Sequence, residues 1–192
     1  MELLLNHIKK YVELNDEQLT HISKSFNIIT TAKRELLLNE GEMCTHLYFV
    51  VKGCLRMFYA DEKGVEQTIQ FALENWWMTD IDAFNKRKKS LFSIQALEKT
   101  TLIGIHKTDF DFLLSDQPSL EKYFRIIYER AYSASLYRMK YARSSKEDFY
   151  YLFCSKYPDF LQRVPQKLLA SFLGLTPEYL SELRKKNSKV RS

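Results

Sequence analysis

The stretch Gln166-Lys-Leu-Leu-Ala-Ser-Phe-Leu-Gly-Leu-Thr-Pro-Glu-Tyr-Leu-Ser-Glu-Leu-Arg184 holds the strongest structural signal in the chain. Apolar residues recur at helical spacing on both sides of Gly174. Glycine tolerates the positive φ of a tight turn, and Thr176 followed by Pro177 supplies an N-cap and a first-turn proline for a new helix. Ala170 is small enough for two helices to cross closely. Leu169, Leu173, Leu175, Leu180 and Leu183 give both helices an apolar side that locks the crossing. The spacing predicts helices over 165–173 and 177–186 joined as a helix-turn-helix. An αα-hairpin inside any helical domain would carry the same pattern, and flanking charge separates the two readings. Arg163, Lys167, Arg184, Lys185, Lys186, Lys189 and Arg191 surround the motif, against Glu178 and Glu182. Basic side chains so placed can neutralise phosphates while the first turns of the second helix enter a major groove. The expected DNA-contacting residues are Lys167, Thr176, Pro177, Glu178, Tyr179, Ser181, Glu182, Arg184, Lys185 and Lys186. Glutamate can accept from cytosine N4, although two acids on a reading face sit awkwardly beside phosphates.

Charge divides the chain near the same place. Residues 1–120 hold 14 Lys/Arg against 17 Asp/Glu, whereas residues 121–192 hold 15 against 7, within a net charge of +5. Only the C-terminal part would attract a polyanion. A hydrophobic fraction of 45% with 28% charged residues fits a folded domain rather than disorder. The 13 Phe and 12 Tyr predict an aromatic core. No apolar run approaches the roughly 18–20 residues that span a bilayer, and residues 1–7 lack the basic flank of a signal peptide. Cys44, Cys54 and Cys154 form no CxxC pair. Buried, reduced thiols and a cytoplasmic location are expected, without membrane association. His7, His21, His46 and His106 are scattered, and neither a glycine-rich phosphate loop nor a GxSxG elbow occurs. Cys44 and His46 share a strand face by alternation, which suits packing better than a catalytic dyad. The chain is expected to be no enzyme and to need neither cofactor nor metal.

Outward from the motif, strand texture fills the N-terminal half. Short helices over 3–12 and 16–25, the second capped by Asn15 or Asp16, precede seven β-branched and aromatic runs. These are 26–31, 35–38, 46–52, 55–60, 66–73, 92–98 and 101–106, separated by turn signals at Gly41, Gly53 and Gly64. In the run 66–73, Thr68 and Gln70 oppose Ile69 and Phe71. Such strands predict a β-roll, jelly roll or sandwich. Thr108 can cap a helix to residue 115, and Pro118 opens a longer one. There Leu120, Phe124, Ile127, Ala131, Ala134, Arg138 and Tyr141 recur at alternating four- and three-residue spacing. That seam suits a homodimer, with Arg138 interrupting it; the alternative is a helix packed on its own β domain. Ser144 and Glu147 offer a capping box for a helix to about residue 156, which Pro158 stops. The expected α+β architecture is a β-rich domain over 1–117, a connecting helix over 118–143 and a basic helical domain over 144–192.

This order of parts resembles the cyclic-AMP receptor (Crp/Fnr) family of bacterial regulators over essentially the whole chain. Asn39-Glu-Gly-Glu-Met-Cys-Thr-His-Leu-Tyr-Phe-Val-Val-Lys-Gly-Cys-Leu-Arg56 is similar to the strand–Gly–Glu–strand–Gly pattern of that family's cyclic-nucleotide-binding β-roll. Residues 165–181 resemble a short-tailed branch common in Bacteroidetes-type bacteria. The resemblance implies a DNA-binding transcription regulator, dimeric through its long helix, with an N-terminal sensor. Family members that bind cyclic nucleotide carry Gly-Glu opening a short helix, then Arg-Ser or Arg-Thr. The Glu takes the ribose hydroxyl and the Arg pairs with the phosphate. Here Thr79-Asp80 stands for Gly-Glu and Ser90-Leu91 for Arg-Ser, so a phosphate would meet Asp80 and Asp82 without the matching buried Arg. Control by cyclic AMP is therefore not expected, and Arg87, Lys88 and Lys89 read as a solvated loop. The corresponding ligand region covers Trp76, Trp77, Thr79, Asp80, Ile81, Asp82, Ser90 and Leu91. Trp76, Trp77 and Phe84 either wall a site for another small-molecule effector or collapse into an aromatic core. Eight residues follow Arg184, too few for the family's β-hairpin wing, and Glu182 stands where many relatives carry a contacting Arg. The alternative reading is a ligand-sensing or protein-interaction module of the same fold that has lost specific DNA binding.

Overall fold

The computed structural model describes residues 1–143, 145–158 and 160–190. Helices α1 (Glu2–Lys9) and α2 (Asp16–Lys24) lead into strands β1 (Asn27–Thr31), β2 (Leu36–Leu38), β3 (His46–Lys52), β4 (Leu55–Ala60), β5 (Glu66–Ala72) and β6 (Trp77–Met78). Helix α3 (Ile81–Lys86) precedes β7 (Ser93–Ala96) and β8 (Thr100–His106). Then follow α4 (Lys107–Asp116), α5 (Ser119–Ala142), α6 (Lys146–Lys156), α7 (Phe160–Arg163), α8 (Gln166–Leu173) and α9 (Pro177–Val190). The strands form two four-stranded sheets, ordered β1-β8-β3-β6 and β2-β7-β4-β5. The expected mixed architecture is what the chain adopts, with eight strands among the described residues where the sequence predicts seven.

The differences have local causes. Strand β6 is two residues long, too short to show alternation. Helix α3 has six residues, and its cap is Asp80, whose carboxylate accepts from Ala83 N–H. In β5, Thr68 is buried and Ile69 only half-buried, against the expected alternation. The Thr68 N–H donates to Ser171 Oγ at 2.9 Å, so this end of the strand turns its polar edge to a protein partner. The cap of α2 is Asn15, which accepts from Gln18 N–H while the Gln18 side chain accepts from Asn15 N–H, a complete capping box. For α6 the cap is Ser145, accepting from Asp148 N–H. The cap expected at Ser144 lies outside the described residues, as do Arg191 and the side chain of Lys189.

The chain divides into two compact units, Met1–Tyr59 with Gln70–Glu129, and Ala60–Ile69 with Arg130–Ser192. In the first, fully buried Phe49, Leu47, Leu102 and Ile103 line the packed sheets. Each such side chain is worth about 1.5–3 kcal/mol of burial. An aromatic chain runs from Trp77 through Phe124 and Phe110 to Phe84, with neighbouring ring centroids 4.8–5.4 Å apart. In the second, Phe153 packs on Phe160 and Phe172 beside buried Leu169, Leu173, Leu180 and Leu183.

Gly53 joins β3 to β4 at φ +116°, and a Cβ built there would lie 2.8 Å from Thr100 Cα and closer still to Thr100 Oγ1. Backbone conformation and close approach both demand glycine. Gly53→Ala should lower unfolding free energy by about 2–4 kcal/mol in urea denaturation. A loss of only a few tenths would contradict this packing.

Helix α4 is capped by His106 rather than Thr108: the ring Nδ1 accepts from Thr108 N–H at 3.3 Å. Across the sheet His106 pairs with His46, the rings meeting edge to face 5.2 Å apart. Burial lowers the pKa of His46 below 6.5, and the charge of His106 lowers it further, while Asp109 opposes. The folded state thus prefers the neutral ring. Below pH 6.5 the unfolded chain takes up the proton first, so stability is complete above that value and declines as pH falls through it. Melting temperature should drop between about pH 7 and 5, and His46→Gln should flatten that slope. An unchanged slope in the variant would contradict the assignment.

Candidate functional site

Helix α8 ends at Gly174, whose φ of +66° and ψ of +33° place it in the left-handed region. Its N–H reaches back toward Ser171 O, and Leu175 N–H donates to Ala170 O at 2.9 Å, closing the turn. Thr176 Oγ1 accepts from Tyr179 N–H at 3.2 Å and caps α9. Ala170, Leu180 and Leu183 are fully buried, and Leu169, Leu173 and Leu175 nearly so, fixing α8 against α9.

The opposite side of the pair faces solvent. Lys167, Thr176, Pro177, Glu178, Glu182, Arg184, Lys185 and Lys186 are exposed, and Tyr179 and Ser181 are half-buried. All ten residues expected at a nucleic-acid face belong to one unit and are at least partly exposed. Lys186 approaches Glu147 at 3.9 Å, a loose exposed pair. Acidic Glu178 and Glu182 belong to the first turns of α9, and Arg184, Lys185 and Lys186 follow them.

In the first unit, Asp80 and Ser90 come together, but on each other. The buried Asp80 carboxylate accepts from Ala83 N–H at 3.2 Å, Ser90 O–H at 2.9 Å and Leu91 N–H at 3.3 Å. Donors that could hold an anion are already directed at an internal one. Thr79 donates its hydroxyl to His46 O at 2.8 Å. Asp82 is exposed and pairs with Lys86 at 2.6 Å and with Lys88; these bonds hold its carboxyl below the usual carboxylate range. Arg87 pairs with Asp111 at 2.9 Å, and Arg87, Lys88 and Lys89 are all exposed, as a solvated run would be. Ile81 and Leu91 are exposed.

The aromatic residues of this region separate. Trp76 is 43% exposed, while Phe84 is fully buried against Phe110. Trp77 packs on Phe49 and Phe124 and donates its indole N–H to Tyr123 Oη at 2.8 Å. Tyr123 in turn lies 2.8 Å from His7 Nδ1. This buried polar triad went unnoticed in the sequence because its members stand on three distant elements. Burial raises the pKa of the Tyr123 phenol, which keeps it protonated.

On α5, Leu120 and Phe124 are buried and Ile127 is half-buried, while Ala131 and Ala134 are exposed. Arg138 donates to Ile69 O and stacks over the Phe172 ring at 4.4 Å. Tyr141 stacks on Phe149. Both ends of the expected seam are therefore used within the units. A different stripe is unpartnered: Tyr132, Leu136 and Met139 are 67%, 47% and 57% exposed. Their four- and three-residue spacing is the same signal displaced around the helix. Among the described residues, no helix is long and apolar enough to cross a membrane.

Residues 29–117 match the family model described as Cyclic nucleotide-binding domain. No curated protein is significantly similar to the chain in sequence. Among solved structures, FixK2 from Bradyrhizobium japonicum is similar at a TM-score of 0.76 and 13% identity, covering 85% of this chain and 85% of that one. The c-di-GMP responsive global regulator CLP of Xanthomonas campestris gives 0.71 at 15% identity, with 91% and 92% covered. A transcriptional regulator of the crp/fnr family from Eubacterium rectale gives 0.69 at 17% identity, with 90% and 83% covered. The chain thus has the fold of these transcriptional regulators, and its residues 29–117 match the cyclic nucleotide-binding domain family.

Proposed function

We propose that this chain is a cytoplasmic, homodimeric transcription regulator of the Crp/Fnr type, of the short-tailed branch it resembles, and not an enzyme. Residues 1–117 would serve as sensor, 118–143 as dimerisation helix and 144–192 as the part that binds double-stranded DNA. The observation that carries the reading is the surface of α9. Its apolar side is locked on α8, and its other side turns Arg184, Lys185 and Lys186 to solvent. A helix of 14 residues is about 21 Å long and enters a major groove about 12 Å wide.

Cyclic AMP is not the proposed trigger. A phosphate brought to the sensor cassette would meet the Asp80 carboxylate on the donors it needs. An effector for this unit would be a small molecule of another class.

Homodimerisation is assigned to α5 through Tyr132, Leu136 and Met139, with Ala131 and Ala134 alongside. Large apolar side chains at helical spacing favour a partner helix over water. Leu136→Glu should convert the dimer to monomer in sedimentation velocity. Persistence of the dimer in that variant would place the interface elsewhere.

For DNA, the logarithm of affinity should fall linearly with the logarithm of salt concentration. The double variant Lys185→Glu, Lys186→Glu should abolish promoter binding. Unchanged affinity would refute this docking. Absence of binding to promoter and random duplex alike at low salt would favour the second reading, an interaction module without specific DNA binding. Glu178 and Glu182 on the exposed side of α9 are the observation that speaks for it.

A further inference from the structure

The second unit contains a cavity of about 210 Å³ lined by Arg138, Lys146, Tyr141, Phe149, Phe172 and Gly174, among others. Both of its charged groups are cations, and no carboxylate lines it. Arg138 donates to Ile69 O, and its second terminal nitrogen approaches Phe172 O at 3.5 Å. Lys146 Nζ donates to Gly174 O at 2.8 Å. These partners are neutral carbonyls, so they satisfy N–H groups without balancing charge. A guanidinium has five N–H groups and an ammonium three, leaving donors for an incoming anion. Burial already works against the charge on Arg138, lowering its pKa.

The remaining wall is aromatic. The Tyr141 and Phe149 rings lie nearly parallel, 6° apart in plane and 6.1 Å between centroids. Phe172 lies under the Arg138 guanidinium. An enclosed cavity of about 150 Å³ accepts benzene; this cleft, about 210 Å³ and open to solvent on one side, has volume for a one- or two-ring body. We propose that the cavity binds a small planar aromatic carboxylate, its carboxylate on Arg138 and Lys146 and its ring against Tyr141, Phe149 and Phe172. The occupant would touch Gly174, the residue that sets the α8–α9 turn. The proposal goes beyond the DNA reading and does not depend on it.

The test is calorimetric titration of the full chain, without DNA, using 2-naphthoate, the neutral 2-naphthylmethanol and inorganic phosphate as probes. Saturable 2-naphthoate binding is expected, with the other two weaker by about tenfold or more. Lys146→Gln and Arg138→Gln should each weaken naphthoate by about tenfold or more. Lys146 is exposed, so its variant should fold even where the Arg138 variant does not, with circular dichroism as the check. Three outcomes overturn the proposal. One is no saturation by naphthoate at millimolar concentration, and another is undiminished affinity in folded Lys146→Gln. The third is phosphate binding as tightly as naphthoate, which would mark a plain phosphate contact.

Discussion

Helix α5 runs for 24 residues, about 36 Å, and contributes residues to both units. Its first turns bury Leu120, Tyr123 and Phe124 in the aromatic core of the first unit. Its last turns give Arg138 and Tyr141 to the second, where Arg138 binds Ile69 O and Tyr141 stacks on Phe149. In the middle of the helix, residues 129–137 are all exposed. An isolated helix gains little from propensity alone, so this stretch is held by what happens at its two ends or by a partner. The apolar stripe Tyr132–Leu136–Met139 is what makes a partner the better account. Dimerisation, in the proposed function, follows from where the helix runs out of its own protein to pack against.

A second constraint governs the sensor unit. A buried carboxylate must be satisfied by donors or cations, and Asp80 finds two backbone N–H groups and one hydroxyl. The sequence stretch that resembles a nucleotide cassette keeps the short helix and its cap but supplies its own negative charge. In the proposed function, an internal anion at this place would change the chemistry without changing the fold. On that proposal, a match to the cyclic nucleotide-binding domain family over 29–117 and a trigger other than cyclic AMP would coexist in one chain.

Much of this was legible beforehand. The strands at His46–Lys52 and Leu55–Ala60 fall where β-branched and aromatic runs end at turn signals, and the turn at Gly174 follows from its neighbours. Illegible features share one cause: they depend on partners far away in sequence. Thr68 is buried and its N–H meets Ser171, more than a hundred residues away. Trp77 is fixed by Tyr123, and Tyr123 by contact with His7. The dimer seam shows the limit most clearly. Two stripes on α5 have the same four- and three-residue spacing, and only the burial of Leu120 and Phe124 and the contacts of half-buried Arg138 and Tyr141 tell them apart. Likewise His106 displaced Thr108 as a cap because the strand delivers its ring to the helix end.

Charge is arranged along α9 in an order that bears on how the proposed interface would work. Glu178 and Glu182 occupy the first two turns, and Arg184, Lys185 and Lys186 follow. A helix entering a groove by its N-terminal turns would bring acids to base edges and cations to the flanking phosphates. Phosphate contacts give affinity without sequence information, while a carboxylate discriminates by what it excludes, tolerating a cytosine amine and opposing acceptors such as guanine O6. Specificity on such a face would come from rejection rather than from strong attraction. A single helix with that balance binds weakly, so two copies joined through α5 are what would raise the affinity to a useful level. In the proposed function, the apolar stripe on α5 and the mixed charge of α9 would act together.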